Sequence, residues 1–259
     1  MKPKPKSVPE LRFPGFVGDW VSTRACNVFS IFNGYAFSSD DAEDDGCRWI
    51  KIADVGVQRM DDTNLSYLPS SFRQQYKKFI LCQGDIVIAL TRPILNKQLK
   101  VAKIEQNQAN SLLNQRVGKI VSNNLLIFVF NILQRQIVVS QIDALISGTD
   151  PPNLAPSEIA NISIGVPTLP EQQKIANFLT ALDQRIQQLR QKQALLVEYK
   201  KGVMQQIFSQ TLRFKDDLGT EFPDWNVEKL GSIASFFKGC GISKIDVHEN
   251  GVLQCIRYG

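Results

Sequence analysis

Basic side chains are concentrated in one stretch of the sequence. Between residues 92 and 119 there are six of them against one acid, Glu105: Arg92, Lys97, Lys100, Lys103, Arg116 and Lys119. Lysine and arginine contact phosphates, and arginine also forms paired hydrogen bonds with base edges. The stretch therefore predicts either a surface for nucleic acid or, as the simpler alternative, a basic face exposed to solvent. The net charge of +5 suits a polyanionic partner without proving one.

The sequence gives little support for a catalytic function. The chain has one histidine, His248, and neither a P-loop nor a G-x-S-x-G nucleophile motif. Asp150-Pro151-Pro152-Asn153 resembles the Asp-Pro-Pro-aromatic loop of adenine methyltransferases, whose aromatic ring stacks on a flipped base. Here Asn153 takes the aromatic position, and no glycine-rich cofactor loop precedes it. We expect a non-catalytic chain and keep a methyltransferase as the enzymatic alternative.

Metal binding, disulfides and membrane insertion are also disfavoured. The acidic cluster within residues 40–45 lacks histidine or cysteine support, so we expect no metal site. The five cysteines form no CxxC pair, which indicates free thiols in a reducing cytoplasm. Polar residues interrupt the most apolar segment, Leu125–Ile146, whereas a membrane span needs about 20 predominantly apolar residues. We therefore expect a soluble, cytoplasmic protein.

The elements that must position the basic residues read as an α/β (α+β) domain over residues 1–167. Strands are predicted where β-branched residues cluster or apolar and polar residues alternate, over Trp49–Val55, Asp85–Leu90, Leu99–Ile104 and Arg116–Val121. A single buried helix is predicted over Leu125–Ile146, ending at Gly148, and a short helix near Ser157.

A long helix is predicted for residues 168–212. Thr168 and Glu171 have the spacing of a capping box, with Pro170 in the first turn. Apolar residues then recur in a heptad seam, interrupted by Gln193 and Lys200: Ile175, Leu179, Leu182, Ile186, Leu189, Leu196, Val203 and Ile207. Such a seam predicts pairing with another long helix. The alternative is a helix packed on its own domain.

The sequence also contains a partial internal repeat. Asp19-Trp20 recurs as Asp224-Trp225, and the same offset of 205 residues relates Phe32 to Phe237, Gly34 to Gly239 and Ser38 to Ser243. Residues 213–259 therefore look like the start of a second copy of the first domain. We expect a truncated or half-length version of a two-domain design.

These features together resemble the specificity subunits of Type I restriction-modification systems. The opening Val8–Phe16 with Trp20 is similar to their start, and Ile164–Ala176, containing Pro170-Glu171-Gln172, is similar to their most specific segment. Gly84-Asp85-Ile86, Asn114-Gln115 and Ser147-Gly148-Thr149 also fit the recognition-domain pattern.

The resemblance implies a sequence-specific DNA recognition subunit that directs methyltransferase and restriction subunits to a bipartite target. Its partners would be double-stranded DNA and the methyltransferase subunits, and through these the restriction subunits. It implies no cofactor on this chain, with S-adenosylmethionine held by the methyltransferase. A coiled-coil scaffold without DNA specificity remains the alternative.

Base-reading residues differ between targets in this family, so the candidates are chosen by chemistry and position. Arginine forks onto guanine, and asparagine pairs with adenine. The DNA-binding candidates are Arg92, Lys97, Lys100, Arg116, Thr149 and Asn153, followed by Lys51 and Tyr35. We further expect a homodimer with the helices antiparallel, because a half-length chain can restore two recognition domains only by pairing with itself. Its target would be palindromic.

Overall fold

The computed structural model describes residues 9–148, 150–239, 241–243, 247, 251 and 254. The chain divides into two compact units, with the division between Gln191 and Lys192. The strands are β1 Val21–Arg24, β2 Ser30–Asn33, β3 Cys47–Ile50, β4 Tyr67–Leu68, β5 Ile86–Ala89, β6 Ile94–Leu95, β7 Gln98–Leu99, β8 Val101–Lys103, β9 Leu112–Leu113, β10 Val117–Val121 and β11 Ser163–Val166. The helices are α1 Phe72–Gln75, α2 Leu126–Leu133, α3 Gln136–Ile146, α4 Pro156–Ile159, α5 Leu169–Phe208 and α6 Leu230–Ile233. The three-part domain division stays a prediction.

Two sheets form the body of the first unit. One has four strands in the order β2-β10-β5-β8, and the other has three in the order β4-β3-β9. β5 is buried along its whole length, because both faces of the four-stranded sheet are covered. Ile86 and Ile88 join the larger core with the helices, whereas Val87 and Ala89 join a second core on the other face. This mixed fold of sheets and helices, followed by a long helix, confirms the predicted fold class.

The predicted strands are largely confirmed, with one wrong boundary. Asp85–Leu90 and Arg116–Val121 contain β5 and β10, and the third predicted stretch contains β8. The strand predicted to reach Val55 instead ends at Ile50. There the Lys51 amide donates to the Asp54 carboxylate at 2.6 Å and closes a turn.

The single helix predicted over Leu125–Ile146 is wrong, because the chain forms two helices, α2 and α3. Arg135, between them, has an extended backbone, and Gln134 caps α2 by donating its side-chain amide to the Phe130 carbonyl at 3.0 Å. The break lets each helix turn its own apolar residues towards the same core. The helical end at Gly148, whose φ is +91°, is confirmed.

The start of the long helix is fixed by a partly buried ion pair and an indole, which together we call the Arg12 clasp: Arg12, Trp20 and Glu171. The Arg12 guanidinium donates to both Glu171 carboxylate oxygens at 2.7 Å, and the Trp20 indole donates to one of them at 3.2 Å. The predicted capping box is therefore wrong: the carboxylate that it needed, 1% exposed, is held by Arg12 and Trp20. The hydrogen bonds from Arg12 hold the pKa of Glu171 below its ordinary value.

The neighbouring Gln172 is buried as well and fastens the helix to the domain. Its side-chain amide donates to the Pro167 carbonyl at 3.0 Å and to the Asn124 side chain at 3.3 Å. Glu171 and Gln172 therefore both join the start of α5 to the rest of the first unit.

The second unit repeats local features of the first. Arg12 donates to the Gly18 and Val17 carbonyls, at 2.6 and 3.5 Å, and Arg213 donates to the Phe222 and Pro223 carbonyls, both at 2.6 Å. At the offset of 205 the acceptor pairs correspond. The helical turn α6 at 230–233 likewise matches the 3₁₀ turn at 25–27. Cys240, His248 and Cys255 lie outside the described residues. These contacts support the internal repeat.

Within the described ranges, no helix is both long and apolar enough to cross a membrane. The three cysteines in those ranges, Cys26, Cys47 and Cys82, are free.

Candidate nucleic-acid interface

One end of the four-stranded sheet, with the adjoining end of β3 from the three-stranded sheet, gathers residues that are far apart in sequence. We call it the sheet-end surface, and its members are Tyr35, Lys51, Arg92, Gln115, Arg116 and Asn153. Tyr35 follows β2, Lys51 follows β3 and Arg92 lies beyond β5, whereas the segment before β10 supplies the next two. Asn153 comes from the loop after α3. The two sheets and this loop thus place the segments that carry five of the predicted DNA-binding residues next to one another.

Backbone hydrogen bonds hold this surface together. The Gln115 amide donates to the Tyr35 carbonyl at 2.9 Å, the Asn114 amide donates to the Ile50 carbonyl at 3.1 Å, and the Leu90 amide donates to the Arg116 carbonyl at 2.9 Å. The end of β2 approaches so closely that a Cβ on residue 34 would lie 2.2 Å from the Asn114 carbonyl oxygen, which explains the glycine there. The exposed side chains therefore stand on a fixed backbone.

The loop after α3 braces Arg92. The Arg92 amide donates to the Pro152 carbonyl, and the Leu154 amide donates to the Leu90 carbonyl, both at 2.7 Å. Arg92 is exposed and has a φ of +49°, in the left-handed region that side chains other than glycine seldom adopt. Such strain persists where surrounding structure imposes it, and it is concentrated at functional sites.

A two-stranded ribbon, β6 and β7, extends the β5–β8 hairpin beyond the sheet end. Its turn consists of Asn96 and Lys97, with φ values of +50° and +61°, the pattern of a type I′ turn. The second position of such a turn needs a left-handed backbone, which glycine favours and lysine does not. Lys97 is exposed, so its charge stands at the tip of the ribbon.

Lys100 departs from the prediction of a phosphate-facing amine. Its side-chain nitrogen donates to the Ile52 carbonyl at 2.7 Å, in a partly buried position. Burial lowers the pKa of Lys100, and the charges of Asp54 and Asp61 oppose that effect. These contacts indicate a structural role.

Asn153 is also more occupied than its sequence position suggested. Its side-chain oxygen accepts from the Thr91 hydroxyl at 2.7 Å, and its nitrogen donates to the Pro151 carbonyl at 2.9 Å. This amide holds the loop against β5, so less of its hydrogen-bonding capacity is left for a base. The segment that resembled a methyltransferase motif thus braces Arg92. Thr149, another candidate, lies outside the described residues.

The two weaker candidates lie beside aromatic rings. The Lys51 side-chain nitrogen stands 4.1 Å from the centre of the Trp49 ring. Tyr35 is 40% exposed, and its ring packs against Phe37, Tyr76 and Phe79 with centroid distances of 4.7–5.3 Å. Tyr35 therefore offers one edge of an aromatic cluster to the surface.

The candidates predicted from the sequence do not include Gln115, although Asn114-Gln115 fits the family's recognition-domain pattern. Its side chain is exposed, Arg116 follows it in sequence, and Lys51 follows the Ile50 carbonyl that accepts from the Asn114 amide. The available signal was a polar turn between two buried strands, β9 and β10, because such turns lie at sheet ends.

The seam predicted on α5 is partly used within its own domain. Ile175 packs against the larger core of the first unit, so for this residue the packing alternative is correct. Leu179, Val203 and Ile207 are partly buried. The remaining seam residues are between 44% and 54% exposed: Leu182, Ile186, Leu189 and Leu196.

Comparison with known proteins defines the class. The family model for the Type I restriction modification DNA specificity domain matches residues 18–197. A crystal structure of a Type I restriction-modification system S subunit from M. genitalium has a similar fold, with a TM-score of 0.55 at 17% identity over 81% of this chain and 50% of that one. The chain therefore belongs to the family of Type I restriction modification DNA specificity domains.

Individual relatives agree with this assignment. The chain is 28% identical over 201 residues to the Type I restriction enzyme MjaVIII specificity subunit of Methanocaldococcus jannaschii, covering 76% of this chain and 47% of that protein. It is 33% identical over 100 residues to the Type I restriction enzyme EcoAI specificity subunit of Escherichia coli, covering 39% of this chain and 17% of that subunit. The chain thus spans about half the length of the first of these relatives.

Proposed function

We propose that this chain recognises a DNA sequence for a Type I restriction-modification complex, directing methyltransferase and restriction subunits to their target. The observation that carries the proposal is the sheet-end surface on a domain matched by the specificity-domain model. Within the described residues, its exposed Arg92 and Arg116 form no ion pair with a carboxylate. The charges of these side chains are therefore available to an anionic partner.

The chemistry of the surface suits duplex DNA. Phosphate contacts position a protein on the duplex, and contacts to base edges specify the sequence. A two-stranded ribbon is narrow enough to enter the major groove, which makes the β6–β7 ribbon a candidate for phosphate or groove contact. Arg92 and Arg116, on braced backbones, suit base reading. The chain would then work without a cofactor, leaving S-adenosylmethionine to the methyltransferase, and in the cytoplasm where that DNA lies.

The arginines test the proposal directly. We expect Arg92→Ala or Arg116→Ala to weaken binding to the preferred duplex by about 1–3 kcal/mol and to relax the sequence preference, because a forked base contact is lost. The matched control is Arg24→Ala, which removes an exposed arginine from β1, in another sheet. Titration of target and random duplexes gives the comparison. If all three variants bind both duplexes with the affinity of the parent chain, the surface is exposed to solvent and does not contact DNA.

Lys97→Gly is expected to separate stability from DNA affinity. Glycine relieves the left-handed strain of about 1–2 kcal/mol, partly offset by the greater freedom of the unfolded chain, so stability should stay level or rise. Removal of the charge should weaken binding to every duplex and flatten the slope of affinity against salt by about 1. Thermal unfolding and salt-dependent titrations measure both.

Two variants serve as controls for Lys97. Asn96→Gly makes the same backbone change while keeping the charge, so its salt slope should match that of the parent chain. Lys100→Ala removes a charge held by the Ile52 carbonyl, so it should lower stability and leave the salt slope unchanged. If the Lys97→Gly variant has the same slope of affinity against salt as the parent chain, the ribbon tip is not part of the interface.

We also propose that two copies pair through α5. The internal repeat supports a design with two similar recognition domains, and two-fold pairing of identical chains would reproduce such an arrangement. The exposed seam residues Leu182, Ile186 and Leu189 supply the apolar contact. With the helices antiparallel, two identical domains would read a palindromic target separated by a nonspecific spacer. The same helix would dock the methyltransferase subunits.

A further inference from the structure

The exposed charges of α5 are distributed unevenly on the two sides of its apolar seam. Asp183 and Arg190 each directly follow a seam leucine, so at about 100° per residue both lie on one flank of the seam. Arg185 directly precedes Ile186 and lies on the other flank. Charges on the flanks of a seam face the partner helix and set the orientation in which two helices pair.

Neither Asp183 nor Arg190 has a charged partner on its own helix. Both side chains are exposed, and among the residues that the structure describes neither forms an ion pair. Side chains three or four positions apart meet on a helix surface, and no residue at those positions carries the opposite charge. The two charges are therefore available to another helix.

An antiparallel second copy of the chain supplies the complementary charges. In an antiparallel pair the same flank of each helix faces its counterpart, so Asp183 of each copy faces Arg190 of the other. This register places Ile186, 46% exposed, opposite Leu189 of the second copy, which keeps the seam in contact. In a parallel pair each flank faces the other flank about five residues further on, so Arg185 of each copy would face Arg190 of the other. The charges therefore favour the antiparallel orientation.

We propose that Asp183 and Arg190 form two symmetric ion pairs between copies of this chain and thereby fix the register of the paired α5 helices. The inference rests on the proposed pairing and adds to it the contact that selects a second copy as the partner. Glu171 and Gln172 join the start of α5 to the first unit, so the register also sets the distance between two recognition domains. With the two-fold axis near residue 187, the two helix starts lie roughly 50 Å apart.

Charge reversal in the full chain tests this contact. Asp183→Arg leaves only cations on the flank and Arg190→Asp leaves only anions, so two attractions become two repulsions when either variant pairs with itself. We expect each variant to self-associate about tenfold more weakly than the parent chain. Mixed in equal amounts, the two variants should form a heterodimer, because each cation then faces an anion. Sedimentation over a range of concentrations measures the dissociation constants, and native mass spectrometry identifies the heterodimer.

The matched controls are Gln184→Arg and Gln191→Asp, which place the same charges seven residues apart on the side of α5 away from the seam. These variants should self-associate like the parent and show no preference for each other. If the parent dimerises and Asp183→Arg pairs with itself equally well, or Arg190→Asp pairs with itself more tightly, the inference is overturned and the proposed pairing stands. If the parent is monomeric at micromolar concentration, the proposed pairing fails and the inference fails with it.

Discussion

Leu189→Asp is expected to convert the chain from a dimer to a monomer and to abolish specific DNA binding, while the recognition domain stays folded. Leu189 lies in the middle of the exposed seam and is 50% exposed. Burying a leucine side chain contributes about 1.5–3 kcal/mol, and two-fold symmetry applies the change twice. A carboxylate placed in that apolar contact would in addition lose its hydration without gaining a partner. Sedimentation at micromolar concentration and duplex titration measure the two effects.

Gln184→Asp is the matched control for this prediction. Residue 184 lies on the opposite side of α5 from the seam, so it introduces the same charge outside the proposed contact. We expect this variant to remain dimeric and to bind its target. A monomeric parent chain that binds the target with full specificity would contradict the proposed pairing.

Arg12→Ala should cause the largest loss of stability of any single change considered. It would leave the Glu171 carboxylate, which is 1% exposed, with the Trp20 indole as its remaining side-chain partner, and removing one member of an ion pair destabilises the fold where the other is shielded from water. Arg12→Lys should retain part of the stability, because an ammonium group lacks the two-pronged geometry of the guanidinium. Arg24→Ala, at an exposed position, should change stability by no more than about 0.5 kcal/mol. Urea unfolding at neutral pH measures all three, and similar losses for Arg12→Ala and Arg24→Ala would refute the clasp.

The same clasp predicts a pH dependence. The pKa of Glu171 is lowered in the folded chain, first by the hydrogen bond from Arg12, so the unfolded chain takes up a proton at higher pH. The contribution is complete above the ordinary pKa of 4.5 and is lost as the pH falls below it through the folded value. Glu171→Gln should therefore lose less stability than the parent across this acid range. Parallel stability curves would show that Glu171 does not contribute.

Local patterns predicted the elements whose sequence decides their structure. The Ile-Val-Ile run of β5, the alternation in β10 and the heptad pattern of α5 each depend on neighbouring residues alone. The break between α2 and α3 was missed, because it depends on how two apolar faces meet one core. The capping-box spacing was misleading for a similar reason: Arg12, 159 residues away, takes the Glu171 carboxylate.

The sequence could predict which residue types form the candidate site, but not which of their side chains lie exposed on one surface. The basic stretch identified Arg92, Lys97 and Arg116, which remain candidates on exposed positions. It could not show that Lys100 is held by the Ile52 carbonyl in the turn after β3, since that contact joins residues 48 positions apart. Nor could it show that Gln115, in the turn before β10, lies at the same end of the sheet as Arg92.

The repeated arginine contact makes the internal repeat a structural feature. In both units an arginine from a Leu-Arg-Phe sequence donates to the two carbonyls that precede Asp-Trp. Four additional residues separate the arginine from this pair in the second unit, which explains why a gap-free comparison of the sequence misses the correspondence. In both units an arginine is thus held by the same pair of backbone carbonyls.

The central claim is that the sheet-end surface of this chain sets the DNA sequence that its complex recognises. The most direct measurement is sequencing of methylated sites in cells that contain a Type I methyltransferase subunit with the parent chain, with Arg116→Ala, or with no such chain. We predict one recurrent palindromic motif with the parent, the same motif relaxed at one position in each half with Arg116→Ala, and no motif without the chain. Identical methylated sites in all three cells would contradict the claim.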